Sequence, residues 1–144
     1  MAFDYDLLII GAGPGGYVGA IRATQLGLKV CVVEKDKAGG VCLNIGCIPS
    51  KSLVHQAESF HSIGDLERMG IKVDQSQFDY SKAQAESRKA ADQLSKGVGF
   101  LLKKNKVDYV EGTAVITGEH EVTVDGERKI GAQNIMIATG SRPR

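Results

Sequence analysis

The chain has 144 residues, of which 42% are hydrophobic, 24% are charged and 18 are glycines, and its formal net charge is +1. These values are typical of one soluble globular domain with many tight turns. Because the charge is near zero and the lysines and arginines are scattered, an electrostatic interaction with nucleic acid or anionic lipid is disfavoured. The N-terminus has no basic region and no segment reaches membrane-spanning length, so we expect a cytoplasmic protein.

The first 34 residues predict a β-α-β unit. Residues 5–10 form a continuous apolar run, which is typical of a strand buried on both faces of a parallel sheet. Helical spacing follows over 17–26, and Gly27 is a typical helix stop. Residues 28–34 predict a second buried strand that ends in an acid, Glu34. We expect a right-handed crossover between the two strands.

A glycine-rich loop separates the first strand from the first helix. It consists of Gly11, Ala12, Gly13, Pro14, Gly15 and Gly16 and satisfies the pattern G-x-G-x-x-G. Its context between a strand and a helix, with Glu34 eighteen residues after the loop, favours a dinucleotide site over a turn without a ligand. Gly11 permits the turn, Gly13 lets a pyrophosphate approach the helix N-terminus, and Gly16 permits close packing. Glu34 can accept hydrogen bonds from both hydroxyls of an adenosine ribose and would repel a 2′-phosphate.

Two cysteines, Cys42 and Cys47, lie five residues apart in GGVCLNIGCIPSK. A zinc site is disfavoured because it would need a second pair of ligands from Cys31, which lies inside a strand and is expected to be a buried apolar residue, or from scattered histidines. Those histidines are His55, His61 and His120. A structural disulfide is also disfavoured, since so short a loop constrains the unfolded chain little.

The same pair is better interpreted as a reversible dithiol/disulfide couple. Residues five apart in a straight helix have Cα atoms about 8.5 Å apart, whereas a disulfide needs less than about 7 Å. A bridge therefore requires a distorted turn, for which Pro49 supplies a reason because it has no N–H to donate. A bridge in distorted backbone is more easily reduced, and cysteines at a helix start have lowered thiol pKa values.

Lys51 lies one helical turn after Cys47. It is either a solvated helix residue or a cation that stabilises negative charge on an electron acceptor. A dithiol releases two electrons and NAD accepts them only as a hydride, so a flavin is expected to connect the two. The glycine loop and the cysteine pair together indicate FAD.

The remaining chain predicts two helices and several strands. We expect a helix over about 50–60, a loop with at most one helical turn over 61–78, and a long helix over about 80–105. The segments that follow are strand-like, with a typical hairpin turn at 125–126. The predicted fold class is α/β, with a doubly wound, Rossmann-like parallel sheet and a small β-meander within about 113–133.

Four segments resemble the flavin disulfide reductase family: GAGPGGYVGAIRATQLG, VVEKDKAGGVCLNIGCIPSK, GVGFLLKKNKV and IATGSRPR. The resemblance covers nearly the whole chain and implies an FAD-binding domain over 1–144. CIPSK resembles the dihydrolipoamide-oxidising members more than the glutathione reductases, and the mercuric reductases remain close. Two positions depart from the family pattern: Val41 replaces a usual threonine, and Gly19 replaces a usual alanine.

The resemblance implies a role for each matched residue. Cys42 is similar to the thiol that exchanges with dihydrolipoamide, Cys47 to the thiol beside the flavin, and Lys51 to the lysine beside the flavin ring. Further FAD-binding positions implied in this way are Lys35, Gly39, Gly40, Val41, Cys42, Ala114, Thr139, Gly140 and Ser141.

The implied activity is oxidation of dihydrolipoamide, carried on the lipoyl domain of a 2-oxo acid dehydrogenase complex, by a homodimeric enzyme with NAD as acceptor. The sequence contains neither the family's second glycine loop, for NAD, nor its C-terminal histidine–glutamate pair. We therefore expect the NAD-binding and interface domains to be absent and the chain alone to be inactive. The alternatives are another disulfide reductase, such as a mercuric reductase, and a flavin-binding redox module without turnover.

Overall fold

A six-stranded mixed sheet forms the centre of the computed structural model, which describes residues 3–141. The strands are β1 (Tyr5–Ile10), β2 (Val30–Glu34), β3 (Asp108–Glu111), β4 (Ala114–Gly118), β5 (Glu121–Val124) and β6 (Arg128–Ile137). The helices are α1 (Pro14–Gln25), α2 (Gly40–Asn44), α3 (Cys47–His61), α4 (Ile63–Arg68) and α5 (Tyr80–Lys104). The predicted α/β class, with a Rossmann-like parallel sheet and a small β-meander, is confirmed.

The strand order is β3-β2-β1-β6-β5-β4. β1 pairs in parallel with β2 on one side and with β6 on the other, and β2 pairs in parallel with β3. β6 has two kinds of partner along its ten residues. Residues 128–131 pair antiparallel with β5, and residues from Ala132 onward pair parallel with β1. One strand therefore connects the parallel sheet to the meander formed by β4, β5 and β6.

Helices α1 and α5 cover one face of the parallel strands. Small residues on α1 and branched residues on α5, at helical spacing, pack against this face. The buried cluster includes Ile9, Ala20, Ala23, Val30, Val32, Val98 and Leu102. Alanines on α1 let the helix approach β1 closely.

The meander covers the opposite face. A doubly wound sheet generally has helices on both faces. In the described part of this chain, strands β5 and β6 cover the second face in place of helices. The cluster on this face includes Leu8, Cys31, Val33, Val122, Val124, Ile130 and Ala132. Cys31 is fully buried here, as predicted, and burial is the main cause that raises the pKa of its thiol to about 11.

The helical boundaries differ from the predictions in three places. The cysteine segment contains a short helix, α2, for which no helix was predicted, and α3 begins at Cys47 rather than near residue 50. The segment predicted as a loop with at most one helical turn over 61–78 contains α4, which is six residues long and so exceeds one turn. α5 agrees closely with its prediction, and the Asp79 side chain begins it by accepting a hydrogen bond from the backbone N–H of Ser81 (2.9 Å).

No helix within residues 3–141 is both long enough and apolar enough to cross a membrane.

Gly19 lies inside α1, where a methyl group fits. A Cβ atom at this position would lie 3.5 Å from the side-chain Sδ and Cε atoms of Met136, an ordinary van der Waals distance. We expect Gly19→Ala to raise the free energy of unfolding by about 1 kcal/mol, or the melting temperature by about 3–6 °C.

Gly16→Ala is the opposite case, because its Cβ atom would collide with the Gly11 carbonyl oxygen. Thermal unfolding followed by circular dichroism should rank Gly19→Ala above the wild type and Gly16→Ala below it. A destabilised Gly19→Ala variant would contradict the packing described for α1.

Candidate cofactor and redox site

The carboxyl ends of β1 and β6 lie side by side at the point where the strand order reverses, and the space outside these two ends is termed the crevice. After β1 the chain continues through α1 to β2 on one side, while β6 lies on the other side. Parallel α/β sheets bind ligands at such a switch point. The Ala138 N–H donates to the Ile10 carbonyl (2.9 Å), which brings Thr139 to the edge of the crevice.

Gly11 forms the turn that leaves β1. Its φ angle is +104°, and a Cβ atom would collide with the Ala138 carbonyl. Its N–H donates to the Val33 carbonyl (2.8 Å). Only glycine combines this backbone conformation with such close contact to the end of β6. Gly15, in contrast, faces open space, since nothing among residues 3–141 lies within 4 Å of a Cβ atom built there.

Helix α1 presents its N-terminus to the same crevice. Gly13 is the N-cap residue and Pro14 begins the helix; within the described chain, no side chain caps this end and no acid lies in its first turn. Its backbone ladder begins with the Tyr17 N–H donating to the Gly13 carbonyl (2.9 Å). The N–H groups before that point have no partner inside the helix, so they can bind a phosphate.

The start of the cysteine segment packs directly on the glycine loop. The Gly39 N–H donates to the Ala12 carbonyl (2.8 Å). Gly40 has a φ angle of +57°, and a Cβ atom there would lie 2.8 Å from the Cα atom of Gly13. The backbone from Gly39 to Cys42 therefore borders the surface where the helix N-terminus would bind phosphate.

Glu34 connects the end of β2 to the glycine loop. Its Oε2 atom accepts a hydrogen bond from the Ala12 N–H (2.7 Å), and its Oε1 atom accepts one from the Asp36 N–H (3.0 Å). A carboxylate has about four lone-pair sites, so capacity for ribose hydroxyls remains. The Gly112 N–H donates to the Glu34 carbonyl (2.9 Å), which brings the turn before Ala114 next to the same strand end.

The other predicted FAD-binding residues lie around this framework. Lys35 is exposed in the bend after β2, and Val41 is exposed on α2. Thr139, Gly140 and Ser141 are exposed beyond the end of β6, and Gly140 has a φ angle of +73°.

Cys42 and Cys47 lie on two different helices. Cys42 is in α2 and half-buried, whereas Cys47 is exposed and begins α3; both are free thiols. Gly46 separates the helices with φ −117° and ψ −106°, so the predicted distortion between the cysteines is confirmed. Its location differs from the prediction: Pro49 lies within the first turn of α3, where its missing N–H costs nothing.

The pKa of the Cys42 thiol is raised, so the prediction of a lowered value is wrong for this cysteine. The main cause is a hydrogen bond between the side chains of Cys42 and Cys47, which stabilises the protonated form; burial and the Cys47 charge add to it. The Cys47 backbone N–H and the Lys51 ammonium act in the opposite direction. Lys51 therefore lies close enough to act on Cys42 electrostatically.

Three further residues hold the cysteine segment and carried no signal in the sequence. The Asn44 side-chain amide donates to the Ala38 carbonyl (3.1 Å) and the Gly40 carbonyl (2.9 Å). From α5, Ser95 Oγ also donates to the Ala38 carbonyl (2.7 Å), and Arg88 Nη1 donates to the Asn44 carbonyl (2.8 Å). Sequence patterns could not find the α5 contacts because they join residues more than forty positions apart.

Among the described residues, no three His, Cys, Asp or Glu side chains lie close enough together to bind a metal ion.

The crevice and the paired thiols are features of a dinucleotide-binding α/β domain with a dithiol centre. A family model described as pyridine nucleotide-disulphide oxidoreductase matches residues 5–144. The chain belongs to this family.

Its relatives are considerably longer than the chain. A dihydrolipoyl dehydrogenase of Zymomonas mobilis is 48% identical over 148 aligned residues, covering 100% of this chain and 32% of the relative. One from Thermus scotoductus is 49% identical, covering 96% of this chain and 30% of the relative. The HOCl-induced flavoprotein disulfide reductase RclA of Escherichia coli superimposes with a TM-score of 0.80 at 27% identity, over 97% of this chain and 29% of that one. The chain thus spans about a third of the relatives it matches.

Because the Cys47 side chain is the main cause of the raised Cys42 pKa, replacing it should lower that pKa. We expect Cys47→Ala to have more Cys42 thiolate near neutral pH and therefore faster alkylation of Cys42 by iodoacetamide. Lys51→Gln should slow the same reaction, because the ammonium stabilises the thiolate. Mass spectrometry of the Cys42 peptide across a pH series measures both effects, and equal rates in all three proteins would show that these contacts do not form.

Proposed function

We propose that this chain is the FAD-binding part of a flavin disulfide reductase that oxidises dihydrolipoamide. The observation that carries the proposal is the packing of Gly40 on Gly13, since it joins a dinucleotide crevice to a pair of neighbouring thiols. A glycine loop alone would support only dinucleotide binding, and a thiol pair alone would support only disulfide exchange. Relatives named dihydrolipoyl dehydrogenase, at 48–49% identity, favour dihydrolipoamide over a mercuric ion as the substrate.

The residues of the crevice fit FAD. The N-terminus of α1 would bind the pyrophosphate, because its first-turn N–H groups have no partner inside the helix and no acid lies in that turn. The glycine loop and the backbone from Gly39 to Cys42 would border the pyrophosphate. Glu34 would hold the ribose and Ala114 would contact the adenine side. Further positions for the cofactor are Gly11, Gly13, Pro14, Gly15, Gly16, Lys35, Val41, Lys51, Thr139, Gly140 and Ser141. Bound flavin would accept the two electrons of the dithiol and pass them on as a hydride.

The cysteine pair carries out the exchange with substrate. A thiolate of dihydrolipoamide attacks the Cys42 sulfur of the Cys42–Cys47 disulfide, which breaks that bond and releases Cys47 as a thiolate. The second substrate thiol then displaces Cys42, so the substrate leaves as a cyclic disulfide and the cysteines hold the two electrons. Lys51 stabilises the negative charge on the pair, in agreement with its effect on the pKa of Cys42.

The remaining parts of the proposal concern a longer protein. NAD as final acceptor, a homodimer, a lipoyl domain of a 2-oxo acid dehydrogenase complex as partner, and a cytoplasmic location are proposed for a protein of the relatives' length. Within such a protein, NAD would bind outside the present 144 residues, because the crevice described here is assigned to FAD.

Glu34→Gln tests the assignment of the crevice to FAD. The amide places an N–H₂ group where a carboxylate oxygen now accepts from Ala12 or Asp36, and it removes an acceptor for the ribose. We expect FAD to bind about ten- to a hundredfold more weakly, measured by quenching of flavin fluorescence. Glu119→Gln, in the exposed turn between β4 and β5, is the matched control. Equal affinity of both variants for FAD would place the ribose elsewhere.

Disulfide exchange tests the role of the cysteines. We expect the oxidised chain to convert one equivalent of dihydrolipoamide to lipoamide and to gain thiols at Cys42 and Cys47, detected by alkylation and mass spectrometry. Cys42→Ser and Cys47→Ser should abolish the conversion, because neither variant can form the pair. Cys31→Ala is the control, since Cys31 lies buried on the meander face. A wild-type disulfide that resists dihydrolipoamide would identify a structural bridge instead.

A further inference from the structure

Asn44 occupies the last position of α2, between the two cysteines in the chain. Its side-chain amide carries two N–H donors, and both are used: one donates to the Ala38 carbonyl (3.1 Å) and the other to the Gly40 carbonyl (2.9 Å). The side chain is half-buried, and the Ala38 residue that accepts from it is buried. Loss of the amide would remove one donor from each of these two carbonyls and leave the Ala38 carbonyl with Ser95 Oγ as its remaining side-chain partner.

The two carbonyls belong to the segment that packs on the glycine loop. Gly39 donates to Ala12 and Gly40 contacts Gly13, so this segment is fixed at its start. The Asn44 amide reaches back to it across the single turn that contains Cys42. As a result, Cys42 lies between two anchored points, one on the glycine loop and the other at the end of α2.

Helix α5 contacts the same segment through two side chains. Ser95 Oγ shares the Ala38 carbonyl with Asn44 (2.7 Å), and Arg88 Nη1 donates to the Asn44 carbonyl (2.8 Å). The backbone then turns at Gly46, whose Cβ atom would lie 3.0 Å from the Val41 carbonyl oxygen. The end of α2 and the turn at Gly46 are thus held in place, and this turn separates Cys42 from Cys47 in the chain.

We propose that Asn44 is a positioning residue for the cysteine pair: its amide holds α2 so that the Cys42 side chain stays next to the Cys47 side chain. The proposal rests on the proposed redox function of the pair. Two thiols held near each other form a disulfide more readily, since less conformational entropy is lost when the bond closes. Loosening α2 should therefore favour the dithiol over the disulfide.

A dithiothreitol buffer measures this preference. The protein dithiol transfers two electrons and two protons to cyclic oxidised dithiothreitol; the Cys42–Cys47 bond forms while the ring S–S bond of the reagent breaks and two reagent thiols appear. The oxidised fraction of the chain is determined by acid quenching, alkylation and mass spectrometry at several ratios of oxidised to reduced reagent. The equilibrium constant follows without any cofactor or enzymatic activity.

The variants are Asn44→Ala, Asn44→Asp and Ser95→Ala. We expect Asn44→Ala to lower the equilibrium constant for disulfide formation about five- to tenfold, since two hydrogen bonds are lost. Asn44→Asp should lower it further, because a carboxylate of the same shape repels two carbonyl oxygens. Ser95→Ala removes one donor from the Ala38 carbonyl and should act in the same direction with a smaller effect. Asn105→Asp is the control, since its side-chain amide donates only to the Leu101 carbonyl at the end of α5.

The outcomes separate this proposal from the proposed function. If the wild-type chain forms no Cys42–Cys47 disulfide at any buffer ratio, the redox function itself is wrong. If the wild type forms it and the Asn44 and Ser95 variants have the same equilibrium constant as Asn105→Asp, the positioning role is overturned. Circular dichroism at the same temperature shows whether each variant is folded. If an Asn44 variant does not fold, Ser95→Ala still tests the hydrogen bonds to the Ala38 carbonyl.

Discussion

Gly13 and Gly40 approach each other so closely that a Cβ atom on Gly40 would lie 2.8 Å from the Cα atom of Gly13. This contact between two backbones determines the arrangement of the whole site. It brings the chain after β2 against the N-terminus of α1, so the segment that carries Cys42 begins beside the surface proposed to bind phosphate. A side chain on Gly40 would push the cysteine segment away from the glycine loop, whereas a Cβ atom on Gly13 would lie 3.9 Å from the Gly40 Cα atom, an ordinary van der Waals distance.

The sheet supports this contact by fixing where the strands end. β1 lies between β2 and β6, and its flanking turns are joined by hydrogen bonds from Gly11 to Val33 and from Ala138 to Ile10. β6 also extends into the meander, whose valines cover the second face of β1 and β2. The meander thus acts on the site indirectly: it buries the apolar side of the central strands and leaves their carboxyl ends free for the glycine loop.

Local patterns in the sequence predicted the parts of the site, but not how they are joined. The apolar run of β1, the G-x-G-x-x-G loop and Glu34 predicted a β-α-β unit, because strand burial, tight turns and helix starts depend on neighbouring residues. The break between Cys42 and Cys47 followed from helix geometry. The contacts of Ser95 and Arg88 with the cysteine segment depend on α5, which lies far away in the chain, and no local pattern encodes them. The raised pKa of Cys42 was not predicted for a similar reason, since it arises mainly from contact with the Cys47 side chain in the folded structure.

The most direct test of a shared site is the visible absorption spectrum of the FAD-loaded chain, recorded before and after addition of dihydrolipoamide without oxygen. A thiolate of the reduced pair that lies against the flavin produces a new long-wavelength band by charge transfer, and we expect this band in the wild type and its absence in Cys47→Ser. Bound FAD whose spectrum does not change when the cysteines become reduced would contradict the account, because the crevice and the thiol pair would then be separate sites.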